Sequence, residues 1–199
     1  MVPLRRFCRP NREFDPLPLL KIARLGHPVL TQVAEPVPHD LIGTPEADAL
    51  IDSMIETMRD APGVGLAAPQ IHHSLRLFVI EPGPHDEDDE DTRLRVLINP
   101  QLRFPDSSDR IELWEGCLSI PGLRGRTERH ASVEVEYLDR HGETVTETFE
   151  GFAAAVVQHE NDHLDGKFFY ERMPQPNELS FEDEFERWQL GEDEEDEEV

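Results

Sequence analysis

The chain of 199 residues has few basic residues, only two cysteines and no long apolar run. Lys and Arg total 19 against 43 Asp and Glu, which gives a formal net charge of -24 at pH 7. Nucleic-acid phosphates and anionic lipid headgroups are bound through clustered Lys and Arg, so this composition argues against direct nucleic-acid binding and against docking on membranes. No stretch approaches about eighteen consecutive apolar residues, and the sequence therefore predicts no transmembrane helix.

The acidic residues are concentrated in two segments. Residues 81–91 and 178–199 together carry 19 acidic residues and one basic residue, and the rest of the chain carries a charge of only -6. Residues 177–190 are predicted to form an amphipathic acidic helix. Its apolar face comprises Phe181, Phe185 and Trp188. Residues 191–199 are predicted to be a disordered acidic tail, because a run of like charges repels itself.

The two cysteines, Cys8 and Cys117, are not expected to form a disulfide, because Cys8 lies in a predicted irregular N-terminal arm, residues 1–16. Free cysteines favour a reducing compartment. The arm lacks the apolar segment of a secretory signal. It also lacks Ser and contains Glu13 and Asp15, which disfavours a short organellar presequence. The predicted location is the cytoplasm.

Residues 17–176 are predicted to form one α+β domain. Thr44 and Pro45 are typical of a helix start, and apolar residues recur at helical spacing over residues 46–60. The predicted strands are 75–81, 94–100, 131–138 and 143–150, the run 61–70 is predicted to break regular structure, and a second helix covers 151–164. Strands in hairpins with segregated helices favour antiparallel sheets over a doubly wound sheet.

The second helix contains the segment QHENDHLDG, residues 158–166. Residues four apart are about 40° apart around a helix axis, so His159 and His163 project from one face. They continue the apolar stripe of the helix and therefore point inward. Two histidines at this spacing, with Glu160 between them, favour a metal site over two buried core histidines. Asp162 is a candidate acceptor that orients one imidazole N–H.

A catalytic metal with two His ligands needs a third protein ligand. A His six residues beyond His163 would serve, but that position is Phe169. A downstream Glu is another option, and the candidates are Glu178, Glu182 and Glu184. Cys117, in EGCLS, is the stronger candidate because a thiolate is a good ligand for late transition metals.

A third stretch, GVGLAAPQ at residues 63–70, combines small residues with Gln70. Gly and Ala let the backbone approach a ligand closely, and Gln70 would supply an N–H donor. GVGLAAPQ, EGCLS and QHENDHLDG, in this order, resemble the signature set of peptide deformylases, with no departure inside the motifs. The resemblance extends over roughly residues 17–174.

The resemblance implies an α+β fold in which antiparallel β-sheets pack around a central metal-binding helix. It also implies hydrolysis of the formyl group from N-formyl-methionyl termini of nascent polypeptides. Glu160 would be the general base and then the general acid, while Gln70 and the backbone N–H of Leu118 would stabilise the oxyanion. The implied metal ligands are Cys117, His159 and His163. The implied substrate-binding residues are Gly63, Val64, Gly65, Leu113, Glu115, Gly116, Phe152 and Val156.

One divalent metal is the expected cofactor. Ligation by Cys and two His suits Fe(II), Zn, Ni and Co, and the resemblance favours Fe(II). The implied partners are N-formyl-methionyl nascent peptides, with transient proximity to the ribosome.

The competing enzyme is a zinc endopeptidase with a C-terminal Glu as third ligand, and the competing non-enzyme is a binding protein with a closed structural metal site. Arg124 is expected to pair with Glu115 or a peptide carbonyl, or to lie on the surface.

Overall fold

The computed structural model describes residues 17–83 and 93–189. The predicted N-terminal arm, most of the first acidic segment and the predicted disordered tail lie outside these ranges. The helices in the described ranges are α1 (Pro45–Asp60), α2 (Gly151–Leu164) and α3 (Glu182–Trp188). The strands are β1 (Gly65–Ala67), β2 (Leu77–Ile80), β3 (Arg95–Arg103), β4 (Arg110–Cys117), β5 (Ile120–His130), β6 (Ser132–Leu138), β7 (Thr144–Glu150) and β8 (Leu179–Phe181). Short 3₁₀ turns cover Pro28–Thr31, Ala68–Ile71, Phe169–Arg172 and Pro176–Glu178.

The strands form two antiparallel sheets. The larger has the strand order β1-β2-β3-β6-β7, and the smaller has the order β4-β5-β8. All neighbouring strands run antiparallel. The predicted α+β class with antiparallel sheets is therefore confirmed. Strands β1 and β4 each lie at the edge of their own sheet.

Helices α1 and α2 cover opposite faces of the larger sheet. In β2, Phe78 and Ile80 belong to the buried cluster that contains the apolar residues of α2, whereas Leu77 and Val79 belong to the cluster that contains those of α1. This division follows from the alternation of side chains along a strand. A strand that is buried on both faces needs apolar residues throughout, which explains the uninterrupted run in β2.

The ends of α1 and α2 follow from local chemistry. Thr44 Oγ1 accepts a hydrogen bond from the Ala47 N–H at 3.2 Å, and Pro45 occupies the first position of α1, as the sequence predicts. Beyond α2, Gly166 has φ +70°, a left-handed conformation that glycine adopts without strain. No helix among the described residues is both long and apolar enough to cross a membrane.

The predicted helix over residues 177–190 is wrong in its first part. Leu179 and Phe181 pair with Gly125 and Leu123 of β5, so this stretch adds an edge strand to the smaller sheet. Only Glu182–Trp188 is helical within the described part of the segment. Backbone pairing with a sheet edge has therefore overridden the helical pattern of aromatic residues.

The sequence pattern predicts neither β4 nor β5, which make up most of the smaller sheet. Charged side chains recur along both strands, and several of the buried positions are polar, including Glu115, Thr127 and Arg129. An alternation of apolar and polar residues is therefore missing. The run 61–70, predicted to be irregular, instead contains β1 and the start of a 3₁₀ turn.

Candidate metal centre and substrate cleft

Cys117, at the end of β4, comes together with His159 and His163 of α2. Their ligand atoms all lie within 4.8 Å of one another, and Cys117 Sγ is 3.2 Å from His163 Nε2. The pairing of β4 with β5 shifts register between Gly116 and Cys117. A bulge of this kind re-aims a side chain, and here it accompanies the turn of the thiol toward α2. Within residues 17–83 and 93–189, no other group of three such side chains could hold a metal ion.

The chemistry of the three donors fits a divalent transition metal. Burial acts to raise the pKa of the Cys117 thiol, but His163 and His159 lower it well below its ordinary value. A low pKa favours the thiolate, which is the form that binds metals. A thiolate with two imidazoles suits Fe(II), Zn, Ni or Co. Structural zinc sites are closed by four protein ligands, whereas catalytic sites keep a position open, so three donors fit a catalytic site.

Glu115 orients His159. Its Oε2 lies 2.7 Å from His159 Nδ1, which leaves Nε2 as the nitrogen available to an ion. The same carboxylate accepts hydrogen bonds from Arg129 Nε at 2.7 Å, from Arg129 Nη2 at 2.9 Å and from Thr127 Oγ1. Burial acts to raise the pKa of Glu115, but the bonds from Arg129 and His159 hold it far below its usual range. Both oxygens of Glu115 are thus engaged in hydrogen bonds with Arg129, Thr127 and His159.

Asp162 does not contact an imidazole, contrary to the sequence expectation. Its carboxylate accepts hydrogen bonds from Arg129 Nη1 at 2.5 Å and from Arg172 Nη2 at 2.5 Å. Arg129 is only 2 % exposed, and the carboxylates of Glu115 and Asp162 together balance its buried charge. A chain of ion pairs consequently runs from Arg172 through Asp162, Arg129 and Glu115 to His159, a candidate metal ligand.

Glu160 lies beside the candidate metal cluster, and one of its carboxylate oxygens has no hydrogen-bond partner. Its side chain is buried, and Oε2 has no hydrogen-bond partner. Buried polar atoms are nearly always paired, so an unpaired one marks a place where a ligand or substrate is missing. Burial raises the pKa of Glu160 to about 7, against the opposing effect of His159 and His163. A Cβ atom on Gly65 would lie 2.8 Å from Glu160 Cγ, so the carboxylate fits only because this β1 residue is glycine.

Gln70 and Leu118 both lie next to Cys117. Gln70 Oε1 accepts the Ala67 N–H at 2.7 Å, which turns Nε2 toward Cys117 Sγ at 3.7 Å and Ser119 Oγ at 3.3 Å. Gln70 is 1 % exposed, so its amide is fixed by burial as well as by these bonds. Leu118 follows Cys117 directly and lines the same cleft.

A cleft of about 990 Å³ opens beside these residues. It includes all of the predicted substrate-binding residues: Gly63, Val64, Gly65, Leu113, Glu115, Gly116, Phe152 and Val156. Val64 and Phe152 are apolar yet 40 % and 53 % exposed, so the cleft presents apolar side chains to solvent. The edge strands β1 and β4 contribute walls on either side.

Glu178, Glu182 and Glu184 do not belong to the candidate metal cluster. Glu178 pairs with Arg126 at 3.3 Å, and Glu182 pairs with Arg124 at 2.6 Å. Glu184 accepts a hydrogen bond from the Trp188 indole. The endopeptidase hypothesis therefore lacks its third ligand in this structure. Of the alternatives for Arg124, pairing with Glu115 is not found among the described residues; its side chain is 38 % exposed, as the surface alternative predicts, and it pairs with Glu182.

Comparison with known proteins now decides the family. The polypeptide deformylase family profile matches residues 19–178. The chain belongs to the polypeptide deformylase family. It is 42% identical over 157 residues to peptide deformylase 2 of Nostoc sp., covering 78% of this chain and 86% of that protein. It is 44% identical over 153 residues to a peptide deformylase of Fusobacterium nucleatum, covering 77% and 83%.

Solved deformylase structures share the fold. A Met-Ala-Ser complex of a class I type b peptide deformylase from Acinetobacter baumannii gives a TM-score of 0.73 at 39% identity, covering 79% of this chain and 99% of that one. The enzyme from Thermotoga maritima gives 0.71 at 37% identity, with the same coverage. The chain is thus an enzyme of a metal-dependent deformylase family, and it presents a Cys/His/His cluster that could hold the metal.

Sequence reasoning missed several residues that support this deformylase site. Arg129 and Thr127 lie on β5 at alternating inward positions, and both bond to Glu115. Ser119 accepts a hydrogen bond from Gln70. A buried Arg in a strand is an informative signal, because it requires a carboxylate nearby, but that signal appears only once β5 is recognised.

Proposed function

We propose that this protein hydrolyses the formyl amide of N-formyl-methionyl nascent peptides, giving formate and a free methionyl terminus. The observation that carries the proposal is the three-donor cluster of Cys117, His159 and His163, which lies with the unpaired Glu160 carboxylate beside an open cleft. The similar enzyme from Acinetobacter baumannii has been solved with Met-Ala-Ser, a peptide with the sequence of a deformylated product.

The three ligands would hold one divalent ion, which when bound acts as a Lewis acid and lowers the pKa of a coordinated water. Glu160 would accept the proton of the attacking water and deliver it to the leaving amine. Its pKa of about 7 suits both directions of transfer near neutral pH. The unpaired Oε2 of Glu160 is available for both proton transfers.

The developing negative charge on the formyl oxygen needs donors. Gln70 Nε2 is held in place by the bond of its own oxygen to Ala67 N–H, and Leu118 supplies a backbone N–H next to Cys117. Donors fixed before the reaction stabilise such a charge without the cost of reorganisation. Gln70 and Leu118 are therefore the proposed oxyanion donors.

The edges of the two sheets favour an extended peptide. Strands β1 and β4 are terminal strands, and residues of both line the cleft. A terminal strand offers unpaired backbone N–H and C=O groups, and an extended chain can bind by pairing with them. The methionine side chain would lie against Val64, Leu113, Phe152 and Val156. A formyl group is small enough to reach the base of this cleft, whereas an internal peptide bond carries side chains on both sides.

Fe(II) is the proposed native metal, although the donor set also suits Zn, Ni and Co. The substrates emerge from ribosomes, and we propose transient proximity to the ribosome in the cytoplasm. Contact would not be through RNA phosphates, because clustered Lys and Arg are scarce in the sequence.

The proposal is tested by measuring formate and free amine released from formyl-Met-Ala-Ser by the iron-loaded protein, with casein hydrolysis assayed alongside. We expect formate release without casein cleavage. The Glu160→Gln variant should lose about a hundredfold or more in kcat while retaining metal, because it removes the general base but no ligand. Absence of formate release from the metal-loaded wild type would reject the proposal.

A further inference from the structure

An ion pair of the C-terminal segment lies on the wall of the cleft. Arg124, on β5, and Glu182, at the start of α3, both line the cavity. Arg124 Nε and Nη2 donate to Glu182 Oε1 at 3.0 and 2.6 Å. Neither side chain takes part in the metal centre, and the proposed reaction makes no use of them.

The position of Glu182 is fixed by structure on both sides. The preceding strand β8 pairs with β5, with Ser180 opposite Arg124. In the following helix, Phe185 packs against Trp114 of β4 with ring centroids 4.9 Å apart. Glu182 is therefore attached to the smaller sheet through backbone pairing and an aromatic contact, not through its ion pair alone.

Arg124 lies directly over Gly116 of the edge strand β4. The two residues are partners in the β4–β5 register, and a Cβ atom on Gly116 would be 3.0 Å from Arg124 Nη1. Side chains of directly paired residues in adjacent strands lie on the same face of a sheet. If an extended peptide pairs with β4 at Gly116, the peptide residue opposite Gly116 presents its side chain on the face occupied by Arg124 and Glu182.

We infer that the Arg124–Glu182 pair forms a subsite for a cationic side chain downstream of the formylated methionine, an inference that rests on the proposed function. Both hydrogen bonds from Arg124 go to Oε1 of Glu182, and no bond to Oε2 is found among the described residues. A Lys or Arg of the peptide can bind Oε2 without breaking the existing pair. A carboxylate could use the remaining N–H groups of Arg124, but it would then lie beside the Glu182 carboxylate, and the excess negative charge of the chain opposes it.

Other charges act on the cleft as well. Lys21 and Arg24 also line it, on a segment whose backbone bonds to Gln70 O and Ser119 O. Their charges oppose a cationic peptide, and the net charge of -24 on the whole chain favours one. The charges of Lys21 and Arg24, and the change in net charge, are the same in any two variants that each replace one Glu by Gln. A comparison of two such variants therefore isolates the local effect of Glu182.

The test measures kcat/KM of the metal-loaded full-length protein for C-terminally amidated formyl-Met tripeptides. The peptides carry Lys, Gln or Glu at the second or third position, with Ala at the other. At the peptide position that contacts the Arg124–Glu182 pair, we expect kcat/KM for the Lys peptide to exceed that for the Glu peptide by about two- to fivefold. The ratio is modest because a partly exposed ion pair contributes little free energy. Glu182→Gln should bring this ratio close to one.

Glu184→Gln is the matched control, because it makes the same change in net charge on the same helix and Glu184 does not line the cleft. It should keep the wild-type ratio. The inference is overturned if Glu182→Gln leaves the ratio unchanged, or if both variants lower it equally. Failure of the proposed function looks different: the wild type would then release no formate even from the peptide with Gln.

Discussion

At the scale of single residues, Glu115 connects the buried cation of Arg129 to the candidate metal ligand His159. Its carboxylate bonds to Arg129 and to His159 Nδ1, and it is almost completely buried. The bond to His159 fixes the ring so that Nε2 remains free for the metal. The same bonds hold the pKa of Glu115 low, so the group is a carboxylate that does not titrate near neutral pH.

We expect Glu115→Gln to weaken metal binding by about ten- to a hundredfold, because the acceptor that orients His159 loses its charge. The free energy of unfolding should fall by roughly 1–3 kcal/mol, since Arg129 then keeps only Asp162 as a charged partner. Competition with a chelator measures the first quantity, and denaturant unfolding of the apoprotein measures the second. Glu112→Gln is a control on the same strand, where an exposed pair with Arg126 contributes less than about 1 kcal/mol. Equal losses in the two variants would contradict the role of Glu115.

Gly65 gives a second prediction at this scale. A methyl group there would overlap the Glu160 carboxylate, and its three nearest atoms all belong to Glu160. We expect Gly65→Ala to lower kcat about tenfold or more with metal content unchanged, because a misplaced base is inefficient. Steady-state kinetics together with metal analysis would show this. An unaltered kcat would mean that the position of Glu160 is not critical.

At the scale of elements, the C-terminal strand and helix are an addition to the rim of the cleft and not part of the metal centre. Strand β8 pairs with β5, and the glutamates of this segment bond to Arg124, Arg126 and Trp188. None of them contributes to the three-donor cluster within the described residues.

A chain that ends at Pro176 should therefore retain its metal and its activity toward formyl-Met-Ala-Ser. We expect a small loss of thermal stability from the missing β8 pairing and the Trp114–Phe185 contact. Metal content per chain is the deciding measurement. Loss of metal on truncation would revive the hypothesis of a C-terminal Glu ligand.

The elements also show what could be predicted from sequence. Helix α2 and the β6–β7 hairpin follow from 3.6-residue and two-residue periodicity, because one face of each is apolar. Strands β4 and β5 have no such pattern, since Glu115, Thr127 and Arg129 occupy buried positions. Those polar residues are buried only because they bond to one another and to α2, which is a property of the assembled site.

At the scale of the whole molecule, the site is made by bringing together segments distant in sequence. The His-Glu-x-x-His pattern placed two ligands and the proposed base on one helix, and the family resemblance implied Cys117 as the third ligand. Geometry then added what a single sequence could not give: the bulge after Gly116, the burial of Gln70 and the ion-pair chain through Arg129. These depend on contacts between the two sheets and α2.

The most direct test of the account compares the wild type with Cys117→Ala, both purified without air, for metal per chain and for formate released from formyl-Met-Ala-Ser. We expect about one divalent ion per wild-type chain together with formate release, and loss of both in the variant, because two histidines alone leave the site one ligand short. A variant that keeps its metal and its activity, or a metal-loaded wild type that releases no formate, would contradict it.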